Sequence, residues 1–139
     1  MTLQATFLLC DDLAISLTGK FNASGVYTAD LLALPDRATL THLACMFIIE
    51  GDLNSIPKFV TVEVKLPGEP AVRSPQTPIE IGAPIPAGRT RWTYRYPLLI
   101  VAPTLRPGQI EARVIYDGGE LAVTAPWIVV PPILANSPT

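Results

Sequence analysis

The chain has 139 residues, 49% hydrophobic and 16% charged, with a formal net charge of -2. That length suits one domain with a single real core, and the acidic balance excludes the clustered Lys and Arg that hold a phosphate backbone. Ordinary globular chains carry about 25% charged residues. Part of the exterior is therefore expected to be apolar and covered by a second copy or a partner, because exposed apolar patches on monomers are usually small.

Taken from the start, MTLQATFLLCDD lacks the basic start, long apolar stretch and small-residue cleavage site of a secretory leader. No run reaches the roughly 18 apolar residues of a membrane span, so the expected location is the cytoplasm. In FLLCDD, Leu8, Leu9 and Cys10 read as the end of a buried strand, and Asp11 and Asp12 cap the way out of it. Gly19 and Lys20 then turn the chain, Asn22 to Gly25 turn it again, and Val26 and Tyr27 return to a sheet.

The segment RATLTHLACMFIIEGD fits two periods. Leu40, Leu43, Ala44, Phe47 and Ile48 would line a helix, whereas Leu43, Cys45, Phe47 and Ile49 would line one face of a strand. Its Thr, Phe and Ile content favours a strand. The other face, with Ala44, Met46 and Ile48, then needs cover from a loop, another strand or a second subunit.

Next comes FVTVEVKL, in which Val60, Val62, Val64 and Leu66 alternate with Thr61, Glu63 and Lys65, predicting one buried and one wet face. The stretch from Pro67 to Gly88 is too rich in proline for regular sheet beyond a short IEI at an edge, and reads as an ordered crossing loop. It contains RSPQTP, a P-x-x-P pattern better explained by a stiffened loop than by peptide recognition. In TRWTYRYPLLIVA, Trp92, Tyr94 and Tyr96 are expected on one face and Arg91, Thr93 and Arg95 on the other, wet face. That alternation explains the Arg-aromatic run, Arg89 included, without a nucleic-acid partner. Pro97 places its strand at an edge or a bulge.

IEARVIYDGGELAVTAP is the clearest hairpin, turning at Asp117-Gly118-Gly119, and APWIVVP supplies a last strand. The 15 prolines are spread from Pro35 to Pro138, which favours many short strands. The predicted fold is all-β: a single antiparallel β-sandwich of about seven to nine strands with Ig-like layering over residues 1–132. Residues 133–139 read as a short C-terminal tail.

Catalytic sets are hard to assemble from these residues. His42 is the only histidine and, on a strand, projects opposite to Cys45, so a local Cys-His pair is not expected. Cys10 and Cys45 match no zinc or redox spacing and are expected buried and reduced. No cofactor is expected. His42 has no ligand-like neighbour in sequence, and of the loop aspartates (Asp11, Asp12, Asp30, Asp36, Asp52, Asp117) only Asp11 and Asp12 adjoin, a slender basis for Ca²⁺. Gly19, Lys20 and Gly25 do not follow the order of a phosphate-binding loop.

The run LLCDD followed by GKFNASGVY resembles the N-terminal pattern of a family of small bacterial proteins. The matching residues are Leu8, Leu9, Cys10, Asp11, Gly19, Lys20, Asn22, Gly25, Val26 and Tyr27. Beyond about Pro35 only the general strand pattern agrees, and Gly68-Glu69 stands where that family has an aspartate-glycine turn. The resemblance implies a β-sandwich and carries no established activity. The low charge, a strand apolar on both faces and the lack of a catalytic set give the expected role: a non-enzymatic intracellular binding or assembly module that forms a homo-oligomer, with room for an unidentified protein partner. The alternatives are an enzyme or small-ligand site built from distant strands, and a calcium-dependent sandwich that docks on membranes.

Overall fold

The computed structural model describes residues 3–15, 20–27, 30–32, 39–81 and 85–130. Among these, every regular element is a strand: β1 (Gln4–Ile15), β2 (Phe21–Val26), β3 (Leu31–Leu32), β4 (His42–Asp52), β5 (Phe59–Lys65), β6 (Val72–Arg73), β7 (Thr77–Pro78), β8 (Arg91–Val101), β9 (Gly108–Gln109), β10 (Glu111–Tyr116), β11 (Gly119–Val123) and β12 (Trp127–Val129). The predicted all-β sandwich is what the chain forms. Four of the twelve strands are only two residues long, which leaves eight of ordinary length. The boundary at 132 and the tail at 133–139 lie outside the described residues.

Two antiparallel sheets carry the core. The first has the order β2-β1-β4-β8; in the second, β11-β10-β5-β6, strand β7 also pairs with β5. A small third sheet, β3-β12-β9, contains the one parallel pair among the described strands, β3 with β12. The core fills the space between inward rows: Phe7 and Leu9 of β1, Leu43, Cys45, Phe47 and Ile49 of β4, and Val60, Val62 and Val64 of β5. Phe7 stands directly opposite Phe47, their rings edge to face at 5.1 Å, an arrangement that aligns ring edge with ring face.

The segment with two possible periods is strand β4, held between β1 and β8 along its length. Most of its outer face is already covered, since Ala44 is 1% and Met46 4% exposed within a single chain, while Ile48 is half-buried. No second subunit is required there. Strand β8 is an edge, as Pro97 predicted, and its alternation holds: Trp92 is buried while Arg91, Thr93 and Arg95 are exposed. Gly51 sits opposite Trp92, and a Cβ there would lie 3.1 Å from the indole nitrogen.

Two expectations need correction. The edge strands in the proline-rich segment form at Val72–Arg73 and Thr77–Pro78, not at Ile79–Ile81. The reason lies in β5, whose open side needs partners: Ser74 N–H donates to Val62 O, and Ser74 Oγ accepts from Val62 N–H at 2.9 Å. The P-x-x-P stretch is thereby tied to Phe59 and Val60. The second correction concerns the wet face of β5, because Thr61 and Glu63 are buried. Strand β5 is flanked on both sides, and long side chains from its neighbours close over Glu63.

The hairpin forms where expected, with Tyr116 opposite Gly119 and Asp117-Gly118 at its tip. Asp117 Oδ1 accepts from Lys58 N–H at 3.0 Å. Its carboxylate ties the turn to the start of β5, an architectural role.

Candidate functional site

Of the N-terminal pattern, Leu8 to Asp11 fall on both faces of β1, and Asn22, Gly25, Val26 and Tyr27 lie on or just after β2. Asp11 accepts a hydrogen bond from Tyr27 Oη at 3.0 Å, and a Cβ on Gly25, whose φ is +63°, would overlap the same carboxylate. The three residues interlock. Asp11 fits over β2 only because position 25 lacks a side chain, and glycine also reaches that φ without steric cost. Burial, and then the bond to Asp11, push the Tyr27 hydroxyl up to about 12, so it remains a donor at neutral pH.

Asp12 points the other way. Its carboxylate lies 3.6 Å from His42 Nε2 and accepts from Leu13 N–H. The expectation that His42 has no ligand-like neighbour is corrected, because the register Cys10–Ala44 continues toward Asp12 and His42. Asp11 and Asp12 thus engage different partners on opposite faces. No cluster of three His, Cys, Asp or Glu side chains able to hold a metal occurs among the described residues.

Cys10 and Cys45 are both free and buried, as expected. Burial raises both thiols, with a further push on Cys10 from Asp11, so neither is disposed to be a nucleophile. Cys10 Sγ donates to Ala44 O at 3.6 Å. His42 lies on the β4 face opposite to Cys45, as strand parity predicted. Lys20 and Asn22 line a shallow cavity of about 360 Å³ with Phe21 and Arg95, bringing that end of the hairpin to β8. Gly19 and Asp36 lie outside the described residues. The arginines beside Trp92 have local partners: Arg89 Nε donates to Arg91 O, and Arg91 pairs with Asp52 at 3.2 Å.

The second sheet carries a group that sequence reasoning missed. Glu63 stands opposite Arg73 on one side and Arg113 on the other. It accepts from Arg73 Nε at 2.7 Å and from Arg113 Nε at 2.8 Å, and Arg113 reaches on to Glu120 at 3.3 Å. Burial alone would raise the Glu63 carboxyl, but the hydrogen bonds and charges of the two guanidinium groups outweigh it and hold it below the usual range.

Beside this ladder runs an open cleft of about 650 Å³. Its origin is readable in the register. Lys65 faces Glu111 and Glu63 faces Arg113, but β11 offers only Ala122 beside Arg113. Small side chains at Ala122, Thr124 and Ala125 leave the space, and the half-exposed Trp127 also lines it. Trp127 is held through its backbone N–H, which donates to Asp30 Oδ1 at 2.9 Å.

A third surface lies on the outer side of the first sheet. Register aligns Val26, Cys10, Ala44 and Leu99 in one row, with Val101 opposite His42 in the next. The centre of the row is buried, while Val26, Leu99 and Val101 are 40%, 53% and 74% exposed. The apolar ends of the row face solvent, Val26 at the β2 edge and Leu99, with Val101, along β8. No helix among the described residues is long and apolar enough to cross a membrane. No protein-family model, curated protein or solved structure matches the chain.

Proposed function

We propose that this chain is a non-enzymatic intracellular binding or assembly module that self-associates through the outer side of β8. The observation that carries the reading is the exposure of Leu99 and Val101 together on a strand that, among the described residues, pairs with β4 alone. Apolar side chains beside an unpaired strand edge are a surface that association would cover. The low charged fraction of 16% supports the same reading, and so do the structural duties of Asp11, Glu63 and Asp117. The likeness of the opening pattern to a family of small bacterial β-sandwich proteins belongs to this proposal; Asp11, Gly25 and Tyr27 would then be a signature of the fold rather than of an activity.

Light scattering at micromolar concentration tests it. A particle larger than the 15.0 kDa chain is expected, returning to monomer in Leu99→Lys/Val101→Lys. A wild-type monomer would refute the proposal. A small-ligand reading is favoured by a different observation, the cleft beside Trp127.

A further inference from the structure

We infer that the cleft between β10, β11 and Trp127 is a binding site for a neutral saccharide. This goes beyond self-association and does not depend on it, since β8 belongs to the other sheet.

The argument starts from charge. The cleft is lined by Lys65 and Arg113 and by Glu63 and Glu111, two cations and two carboxylates set in alternation by the register. Their fields largely cancel, so the site favours neither a phosphate nor a free cation as ligand. Glu63 is already closed off by its two arginines, so what remains is the donors and acceptors of Lys65, Glu111 and Arg113, with Gln109 and Thr124 adding uncharged ones. Such an array rewards a ligand with many hydroxyl groups, each able to donate and accept.

The second element is Trp127. It is 51% exposed although large, and lines the same cleft. An indole offers a flat apolar surface with a polar edge, which suits a sugar ring: C–H groups on one face and hydroxyls around the rim. Arg113 is fixed in orientation by Glu63 and Glu120 before any ligand arrives, so its remaining donors are already arranged, and preorganisation lowers the cost of binding. The volume of about 650 Å³ falls within the usual range of ligand pockets.

The molecule supplies its own reporter. Of its two tryptophans, Trp92 is 1% exposed and Trp127 51%, so acrylamide quenching of fluorescence reads Trp127 selectively. Titration with cellohexaose, maltohexaose and xylohexaose is expected to protect that fluorescence with at least one of the three. A galacturonate hexamer and inorganic phosphate are expected to protect it less. Trp127→Ala, followed by calorimetry, is expected to weaken binding by about tenfold or more, and Trp127→Phe to retain most of it. Because the backbone bond to Asp30 survives in both variants, a retained melting temperature separates lost binding from lost folding. No protection by any neutral hexasaccharide at millimolar concentration overturns the inference. Equal binding by Trp127→Ala, or stronger protection by phosphate or galacturonate, overturns it as well.

Discussion

Strands β4 and β5 occupy matching places, each in the interior of its sheet and each buried on both faces, yet they bury the outward face by opposite chemistry. In β4 the outward residues are Ala44 and Met46, apolar and covered, followed by the half-buried Ile48. In β5 they are Thr61 and Glu63, and the cover is the pair of guanidinium groups that close over the carboxylate. The apolar solution is insensitive to pH and salt and tolerates imperfect geometry. The ionic one requires its partners in register, since a buried carboxylate is stable only when paired and hydrogen-bonded.

The largest expected effect lies at the shared core that both strands build. Phe47→Ala should cost about 3 to 5 kcal/mol in urea denaturation, because Phe47 is fully buried against Phe7. A loss under 1 kcal/mol, well below the ~3 kcal/mol floor for such sites, would mean that β4 does not pack inward as described. On its outer face, Met46→Ala should cost about 2 to 4 kcal/mol, and the same amount at neutral and acid pH.

Glu63→Gln should cost about 2 kcal/mol at neutral pH, the range for hydrogen bonds to charged groups, and here the pH dependence breaks the symmetry. The Glu63 carboxyl sits below its ordinary value of 4.5 in the folded chain. Its contribution is therefore complete above that value and is lost as pH falls through the lower folded pKa. Wild type and Glu63→Gln should converge in stability in acid, whereas wild type and Met46→Ala should not. A pH-independent gap for Glu63→Gln would show that the carboxylate's charge plays no part in burying β5. The smallest effect is expected at Ser74→Ala, about 1 kcal/mol, since Val62 N–H loses the Oγ acceptor on its open side.

The same contrast explains what was legible in the sequence. Strand β4 was readable once its Thr, Phe and Ile content was weighed, and the hairpin at Asp117-Gly118 was readable because its turn chemistry is local. Alternation alone assigns Thr61 and Glu63 to solvent, since nothing in FVTVEVKL reveals an arginine ten positions away or another fifty away. The pairing of Asp12 with His42 was hidden for the same reason: it depends on the register of two strands. The cleft was less legible still. It arises from small residues on β11 set beside charged ones on β10, a juxtaposition that exists only after the hairpin closes.

The lock of Asp11, Gly25 and Tyr27 constrains how this sequence can vary. A methyl group at position 25 expels the carboxylate, and loss of the carboxylate strands a half-buried phenol. The three positions can therefore drift only together. Within a set of descendants of this chain they would change as one character, and a swap at any single one would carry a defect that the other two could repair.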